Sequence, residues 1–287
     1  MLYAFTGKTM IHHGVLLQQI IKTKTNEIGG WIEGEHNLLG DAWVDDQAKV
    51  WGNARIDGSA LIFGNAWVFG NAKITGNAQI FENAQVFGNA RIFENANIFG
   101  CARITDALVD GNAIINGNVN VMSKAEICEN AKISGNTLIQ ENAYVGGHAN
   151  IFGNAKIQGN AFVDGHTNIF ESALVFGNAR VGGKAYVCGD TKLTGRCNIR
   201  GNAFITGKAT IYGDSTIAEN ARVMGSARIG ENAFIYENAV IFGNAHIKGD
   251  ARVFGTVNVF GNTIIINKVL SGNCNISNDA DLDSYNF

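Results

Sequence analysis

The chain has 287 residues, a formal net charge of −3, 36 glycines and no proline. This charge does not favour nucleic acid as a partner, because proteins that bind it usually carry a concentrated positive field. No apolar run reaches the roughly 18 residues that a membrane helix requires, so no membrane partner is expected. The five scattered cysteines form no CxxC pair, which predicts no disulfide framework and favours a reducing, cytoplasmic location.

Residues 1–43 precede the repeat and are predicted to form an N-terminal cap. Leu16, Leu17, Ile20 and Ile21 have the spacing of an apolar helix face. A short helix or strand in this leader is therefore expected to cover the open edge of the first turn of a repeat array.

Residues 44–267 repeat with a period of six, and the aliphatic residue of each hexad is called position one. Position one is Val, Ile or Leu, position five is small and mostly Ala, and positions three and four are most often Gly and Asn. Positions five and one are two residues apart, so on a strand they face the same side, whereas position six faces away. Gly and Asn both tolerate the left-handed backbone conformation of a turn. The pattern predicts an all-β fold, a parallel β-helix in which stacked turns bury the aliphatic side chains.

This repeat resembles that of the left-handed parallel β-helix proteins, the transferase hexapeptide superfamily, best known from bacterial acyltransferases. The resemblance implies three hexads in each triangular turn, a left-handed coil and about 12 turns. The leader segments 14–21, 29–33, 37–38 and 40–44 resemble the opening of the YdcK-like hexapeptide proteins of bacteria and phages. That group is described as transferases by analogy of fold, which is weak evidence for chemistry.

Three hexads in each turn would place residues about 18 apart on the same corner of the coil. At one corner this arithmetic collects apolar side chains at position two: Phe63, Phe81, Phe99, Phe152, Phe170, Met224, Phe242 and Phe260. One interpretation is that they shield the corner backbone. The other is an interaction stripe for self-association or a protein partner, because monomers seldom expose large apolar patches.

His148 and His166 both occupy position four and lie 18 residues apart, so they are expected to stack. Two stacked imidazoles could start a metal or proton-transfer site, but no third ligand is evident. The other interpretation is a pair of solvated corner residues. Neither a catalytic residue nor a cofactor is predicted.

Three further features leave alternatives open. The step from Ile104 to Val109 lacks one residue, which indicates either a tightened corner or a kink that marks a binding site. The outward side chains at position six that would suit nucleic acid are interrupted by Leu108 and Glu126; they are Arg55, Lys73, Arg91, Tyr144, Phe162, Arg180, Phe234 and Arg252. The glutamates at position three, such as Glu82 and Glu171, are interpreted as solvated corners. Residues 268–287 lose the repeat and form either a cap or a tail.

The leading hypothesis is a rigid, non-catalytic β-solenoid that binds a protein or assembles with itself as a dimer or trimer. The resemblance adds a role as a phage or prophage accessory protein that engages a host protein. The alternative is a CoA-dependent acyltransferase with its active site at a subunit interface. Enzymes of this fold usually carry a loop that leaves the coil, and residues 44–267 contain no such insertion.

Overall fold

The computed structural model describes residues 3–278, and of the predicted C-terminal segment residues 279–287 lie outside the described residues. The chain divides into two compact units, unit 1 up to Glu141 and unit 2 from Asn142. Each unit is a parallel β-solenoid, and about 14 turns are counted along the chain. In the described part, the helical content is one 3-10 turn at Glu35–Asn37.

The leader consists of three strands, β1 (Tyr3–His12), β2 (Val15–Lys22) and β3 (Ile28–Ile32). These strands pair in antiparallel order, and β3 then pairs in parallel with the next strand of its sheet. The alternation within β2 explains why it is a strand, because Leu17 is buried and Leu16 is 55% exposed. The apolar spacing that also suited a helix is therefore satisfied by a strand.

The remaining strands have two or three residues each and begin at position six of their hexads. In unit 1 they are β4 (Trp43–Val44), β5 (Lys49–Val50), β6 (Arg55–Ile56), β7 (Leu61–Ile62), β8 (Trp67–Val68), β9 (Lys73–Ile74), β10 (Gln79–Ile80), β11 (Gln85–Phe87), β12 (Arg91–Ile92), β13 (Asn97–Ile98), β14 (Arg103–Thr105), β15 (Leu108–Val109), β16 (Ile114–Ile115), β17 (Asn120–Val121), β18 (Glu126–Ile127), β19 (Lys132–Ile133) and β20 (Leu138–Ile139). In unit 2 they are β21 (Tyr144–Val145), β22 (Asn150–Ile151), β23 (Lys156–Ile157), β24 (Phe162–Val163), β25 (Asn168–Ile169), β26 (Leu174–Val175), β27 (Arg180–Val181), β28 (Tyr186–Val187), β29 (Lys192–Leu193), β30 (Asn198–Ile199), β31 (Phe204–Ile205), β32 (Thr210–Ile211), β33 (Thr216–Ile217), β34 (Arg222–Val223), β35 (Arg228–Ile229), β36 (Phe234–Ile235), β37 (Val240–Ile241), β38 (His246–Lys248), β39 (Arg252–Val253), β40 (Asn258–Val259), β41 (Ile264–Ile266), β42 (Val269–Leu270) and β43 (Asn275–Ile276).

Within each unit a strand pairs in parallel with the third strand after it, so three sheets enclose the core. Ile62 of β7, for example, pairs with Ile80 of β10, and Ile80 pairs with Ile98 of β13. These three side chains are fully buried, as is Ala66 at position five. Burial of one such aliphatic side chain stabilises the fold by roughly 1.5–3 kcal/mol before entropy costs. The predicted all-β parallel solenoid is therefore confirmed.

The count of about 14 turns exceeds the predicted 12, because strand pairing extends beyond the sequence repeat at both ends. At the start, β3 contributes the buried Ile32, and Leu38 forms an isolated parallel bridge with Ile56. At the end, β42 and β43 contribute the buried Leu270 and Ile276. Inward aliphatic side chains thus continue where the Gly-Asn pattern has already faded.

At each corner, the residue at position three alone adopts the left-handed backbone conformation. Gly64 has φ +67° and Glu82, at the same position one turn later, has φ +56°. The asparagines at position four are not in the left-handed region among the described residues, so the prediction that Asn shares this conformation is wrong. Asn77 instead donates its side-chain N–H to Oδ1 of Asn95 in the next turn, at 3.0 Å. Such amide ladders join successive turns.

Among the described residues, two hexads are shortened to five residues, one in each unit, and each is called here a five-residue turn, although it forms only one side of a full turn of the coil. In unit 1 the turn from Ile104 to Val109 lacks position four, and the Asp106 side chain takes its place. Oδ1 of Asp106 accepts hydrogen bonds from the backbone N–H of Asn89 at 2.7 Å and from its side-chain N–H at 2.9 Å. The turn is therefore a tightened corner whose missing residue is replaced by a neighbouring side chain.

In unit 2 the turn from Ile265 to Leu270 is built the same way, with Asn267 at position three. Oδ1 of Asn267 accepts the backbone N–H of Asp250 at 2.8 Å. This second five-residue turn lies where the sequence repeat ends, so the missing residue was not recognised from the sequence.

Candidate functional site

In unit 1 the predicted stripe residues form a continuous aromatic column at one corner. Phe63, Phe81 and Phe99 follow β7, β10 and β13, so the strand register places their rings one turn apart. The ring centroids of Phe63 and Phe81 are 4.7 Å apart, and those of Phe81 and Phe99 are also 4.7 Å apart, with nearly parallel planes. All three side chains are partly exposed, so the outer edges of the column face solvent.

In unit 2 the corresponding residues form two separate stacked pairs instead of a continuous column. Phe152 stacks on Phe170 with centroids 4.8 Å apart, and Phe242 stacks on Phe260 at 5.0 Å. Met224, one turn before Phe242, is partly exposed at the same corner. The predicted stripe is thus not a uniform aromatic surface within this unit.

A polar pair occupies the same corner of unit 2 between the two phenylalanine pairs. The thiol of Cys188 donates to Oγ1 of Thr206 at 3.2 Å. Burial raises the pKa of Cys188, and Thr206 partly opposes that shift. The thiol therefore stays protonated near neutral pH and is poorly suited to act as a nucleophile.

A second aromatic column in unit 1 was not predicted. Trp51, Phe69 and Phe87 stack with centroid distances of 4.5 and 4.9 Å. The guanidinium of Arg103 lies 5.6 Å from the centroid of the Phe87 ring. The same 18-residue arithmetic, applied to a second corner, would have found this column.

The base of this second column contacts the leader. The centroid of the His12 ring lies 5.0 Å from that of Trp51 and 4.8 Å from that of Trp67. The centroid of the His13 ring lies 4.4 Å from that of His12. Burial lowers the pKa of His12, and the nearby His13 and Lys49 add to this effect. The cluster attaches the end of β1 to the solenoid through packed rings, and the lowered pKa of His12 keeps that imidazole neutral at physiological pH.

His148 and His166 lie together as their spacing predicts. Their rings are parallel within 4°, the centroids are 4.6 Å apart, and both side chains are exposed. Within residues 3–278, no group of three or more His, Cys, Asp or Glu side chains is arranged to hold a metal ion. The pair offers two imidazoles for a proton or a ligand, and the metal and proton-transfer roles stay predictions.

His246 makes a contact that the sequence did not indicate. The hydroxyl of Tyr212 lies 3.0 Å from Nε2 of His246, and the Tyr212 ring occupies the space that a side chain at Gly230 would need. Burial lowers the pKa of His246, with a further contribution from Arg228. The contact thus joins the corner that follows β32 to strand β38, two turns later in the same sheet.

Several of the position-three acids are not merely solvated, which corrects their interpretation as solvated corners. The Glu82 carboxylate accepts the backbone N–H of Gly100, one turn later, at 2.9 Å. The Glu171 carboxylate accepts the N–H of Gly189 at 2.6 Å in the same way. Equivalent contacts are made by Asp46, Glu219 and Glu237. A carboxylate at this position therefore satisfies a corner N–H that the solenoid ladder leaves open.

The outward position-six column has different character in the two units. In unit 1, Arg55, Lys73 and Arg91 are paired in register on adjacent strands. In unit 2, the Tyr144 and Phe162 rings stack at 4.6 Å, and the Arg180 guanidinium lies 5.9 Å from the Phe162 ring centroid. The column is therefore basic in unit 1 and mixed basic and aromatic in unit 2, and it is short in both.

A comparison of the chain with protein-family models gives no match, and a comparison with curated proteins gives none either. In the described part, no helix has the length and apolar character needed to cross a bilayer.

Proposed function

We propose that the protein is a non-catalytic β-solenoid scaffold whose aromatic corner column contacts protein, either a second copy of the chain or a different partner. The observation that supports this most directly is the partly exposed stack of Phe63, Phe81 and Phe99. Stacking one ring on the next leaves apolar ring edges in contact with water. Covering those edges with another apolar surface would be favourable, at roughly 25 cal/mol for each Å² buried.

Serine is tolerated at position two of this corner, since Ser134 follows β19. This makes Phe81→Ser a suitable variant, because it interrupts the column without introducing a residue foreign to the corner. Phe93→Ser is the matched control, since Phe93 is partly exposed at a different corner of unit 1. Sedimentation velocity over a concentration series measures self-association of the wild type and of both variants.

We expect the wild type to associate reversibly, F81S to associate at least tenfold more weakly, and F93S to match the wild type. The apolar edge is lost only from the column in F81S. Equal behaviour of the two variants would contradict a contact made by the column. A wild type that stays monomeric at its highest soluble concentration would contradict self-assembly.

The finer parts of the proposal rest on the sequence resemblance. The six-residue period supports membership of the left-handed hexapeptide-repeat proteins, and the leader supports a place beside their YdcK-like bacterial and phage members. A cytoplasmic phage or prophage accessory protein that engages a host protein fits this placement. The acyltransferase alternative is supported by the same resemblance alone, and a saturable thermal shift with acetyl-CoA would favour it over the scaffold.

A further inference from the structure

Unit 2 contains a cleft of about 220 Å³ on the outer surface of the sheet that includes β24 and β27. Phe162 and Arg180 form one side of it, and Asp164, Gly165, Gly182 and Gly183 line the corner. The cleft exists because side chains are missing here. A Cβ atom at Gly182 would have no atom within 4 Å, so this corner is open where other turns carry a Phe or Tyr.

The corner N–H of Gly183 points into a position that carboxylates occupy elsewhere in the same unit. Gly189 donates its N–H to the Glu171 carboxylate, and Gly255 donates to the Glu237 carboxylate. The residue one turn before Gly183 is Gly165, which has no side chain to offer. Within residues 3–278, the Gly183 N–H has no hydrogen-bond acceptor.

Charge around this N–H favours an anion. Arg180 and Lys184 are exposed on either side of Gly183 in the sequence, and Arg200 follows one turn later. In the described part of unit 2, none of these three cations forms a salt bridge. Asp164 is the one acid that lines the cleft, and its Oδ1 already accepts the N–H of Gly165 at 2.6 Å. Lys184 and Arg200 lie outside the lining, so within it the Arg180 guanidinium and the Gly183 N–H are the groups that favour an anion.

An apolar surface borders the same cleft. Phe162 is 39% exposed, and its stack with Tyr144 presents ring edges beside the Arg180 guanidinium. A ligand that places a carboxylate on the Gly183 N–H would bring its neighbouring atoms against these edges. This combination fits an acidic residue beside an apolar one better than it fits a bare inorganic anion.

We propose that this carboxylate cleft binds an acidic side chain of a protein segment, with an adjacent apolar side chain against Phe162. The inference rests on the proposed function, because it gives the chemistry of a protein partner, but it concerns a different corner from the aromatic column. The carboxylate would accept hydrogen bonds from the Gly183 N–H and from Arg180. Such charge-assisted bonds are about twice as strong as neutral ones.

The chain itself provides an internal competitor for the test. Gly165→Glu would place a carboxylate on the Gly183 N–H, as Glu171 does on Gly189. Gly159→Glu is the matched control. Gly159 lies one hexad earlier and faces Gly177 in the next turn, as Gly165 faces Gly183. The φ angles are nearly identical, +74° for Gly159 and +73° for Gly165. Both variants gain the same charge, and thermal unfolding checks that both fold.

The probes are the blocked peptide acetyl-Gly-Phe-Glu-Gly-amide, its Gln counterpart and inorganic phosphate. Each is titrated into the ¹⁵N-labelled full chain while the Gly183 amide resonance is followed. We expect a saturable shift with the Glu peptide, with a dissociation constant on the order of 1 mM. The Gln peptide should bind at least tenfold more weakly, G165E should weaken the Glu peptide at least tenfold, and G159E should leave it unchanged.

Equal shifts with the Glu and Gln peptides would overturn the carboxylate assignment, as would equal binding by G165E and G159E. Phosphate binding tenfold tighter than the Glu peptide would overturn a protein segment as the ligand. Failure here leaves the aromatic column untouched, because that surface is tested by sedimentation of F81S and F93S in the absence of any peptide.

Discussion

In both five-residue turns a side chain at position three accepts a backbone N–H of the preceding turn, but Asp and Asn are exchanged between them. In unit 1, the carboxylate of Asp106 lies above the amide of Asn89 and accepts both of its N–H groups. In unit 2, Oδ1 of Asn267 accepts the backbone N–H of Asp250 alone. Each turn lacks the residue at position four, and each restores the missing acceptor with the side chain at position three.

We infer from this difference that charge decides which side chain is used. A carboxylate above Asn89 has two donors to accept, whereas a carboxylate above Asp250 would face a like charge. Like charges directly opposite each other on neighbouring strands are destabilising. Acid above amide and amide above acid are therefore compatible arrangements, while acid above acid is not.

The largest expected effect comes from removing the charged acceptor. Asp106→Ala should lower the free energy of unfolding by about 1–2 kcal/mol, at the low end for charged hydrogen bonds because Asp106 is exposed. Asn267→Ala should cost about 0.5–1 kcal/mol, because it removes one bond between neutral groups. Urea denaturation measures both. Equal losses would mean that the charge on Asp106 contributes nothing.

A smaller effect tests the like-charge argument directly. Asn267→Asp should destabilise unit 2 by about 0.5–1 kcal/mol at neutral pH, because it sets a second carboxylate against Asp250. The double change D250N and N267D should recover this loss, since it recreates the arrangement of Asn89 and Asp106. The check is a double-mutant cycle by urea denaturation. Additive effects would show that the side chains at positions 250 and 267 do not interact, which would contradict the like-charge argument.

The smallest effect is a pH dependence confined to the turn in unit 1. The backbone N–H of Asn89 holds the pKa of Asp106 below the ordinary aspartate value of about 3.9. A lowered folded-state pKa stabilises the fold above the ordinary value, and this contribution is lost as pH falls through the folded-state value. The stability difference between wild type and D106N should therefore be constant down to about pH 5 and shrink below about pH 4. The difference between wild type and N267A should not change over that range.

Much of the core and part of the candidate surface could be predicted from the sequence. The aliphatic residues at position one are buried because every second strand residue faces inward, a rule that needs only the period. The stacking of Phe81 on Phe99 and of His148 on His166 follows from the number of hexads in a turn. Since parallel strands stack in register, residues 18 apart lie one above the other.

The contacts made by polar corner side chains could not be predicted in the same way. A glutamate at position three can extend into solvent or bend towards the next turn, and its spacing is identical in both cases. Glu82 bends towards Gly100 because that N–H has no partner in the ladder. The carboxylate cleft was missed for a related reason, since it arises from side chains that Gly165 and Gly182 lack.

By itself, the sequence determined the parallel solenoid, because a six-residue alternation of inward aliphatic and small residues can bury its apolar surface only by stacking turn on turn. The tertiary structure alone decided which polar groups meet. Hydrogen bonds depend on ångström-scale distances between adjacent turns, so Asp106 could be recognised as the substitute for a missing residue only once Asn89 was seen beneath it.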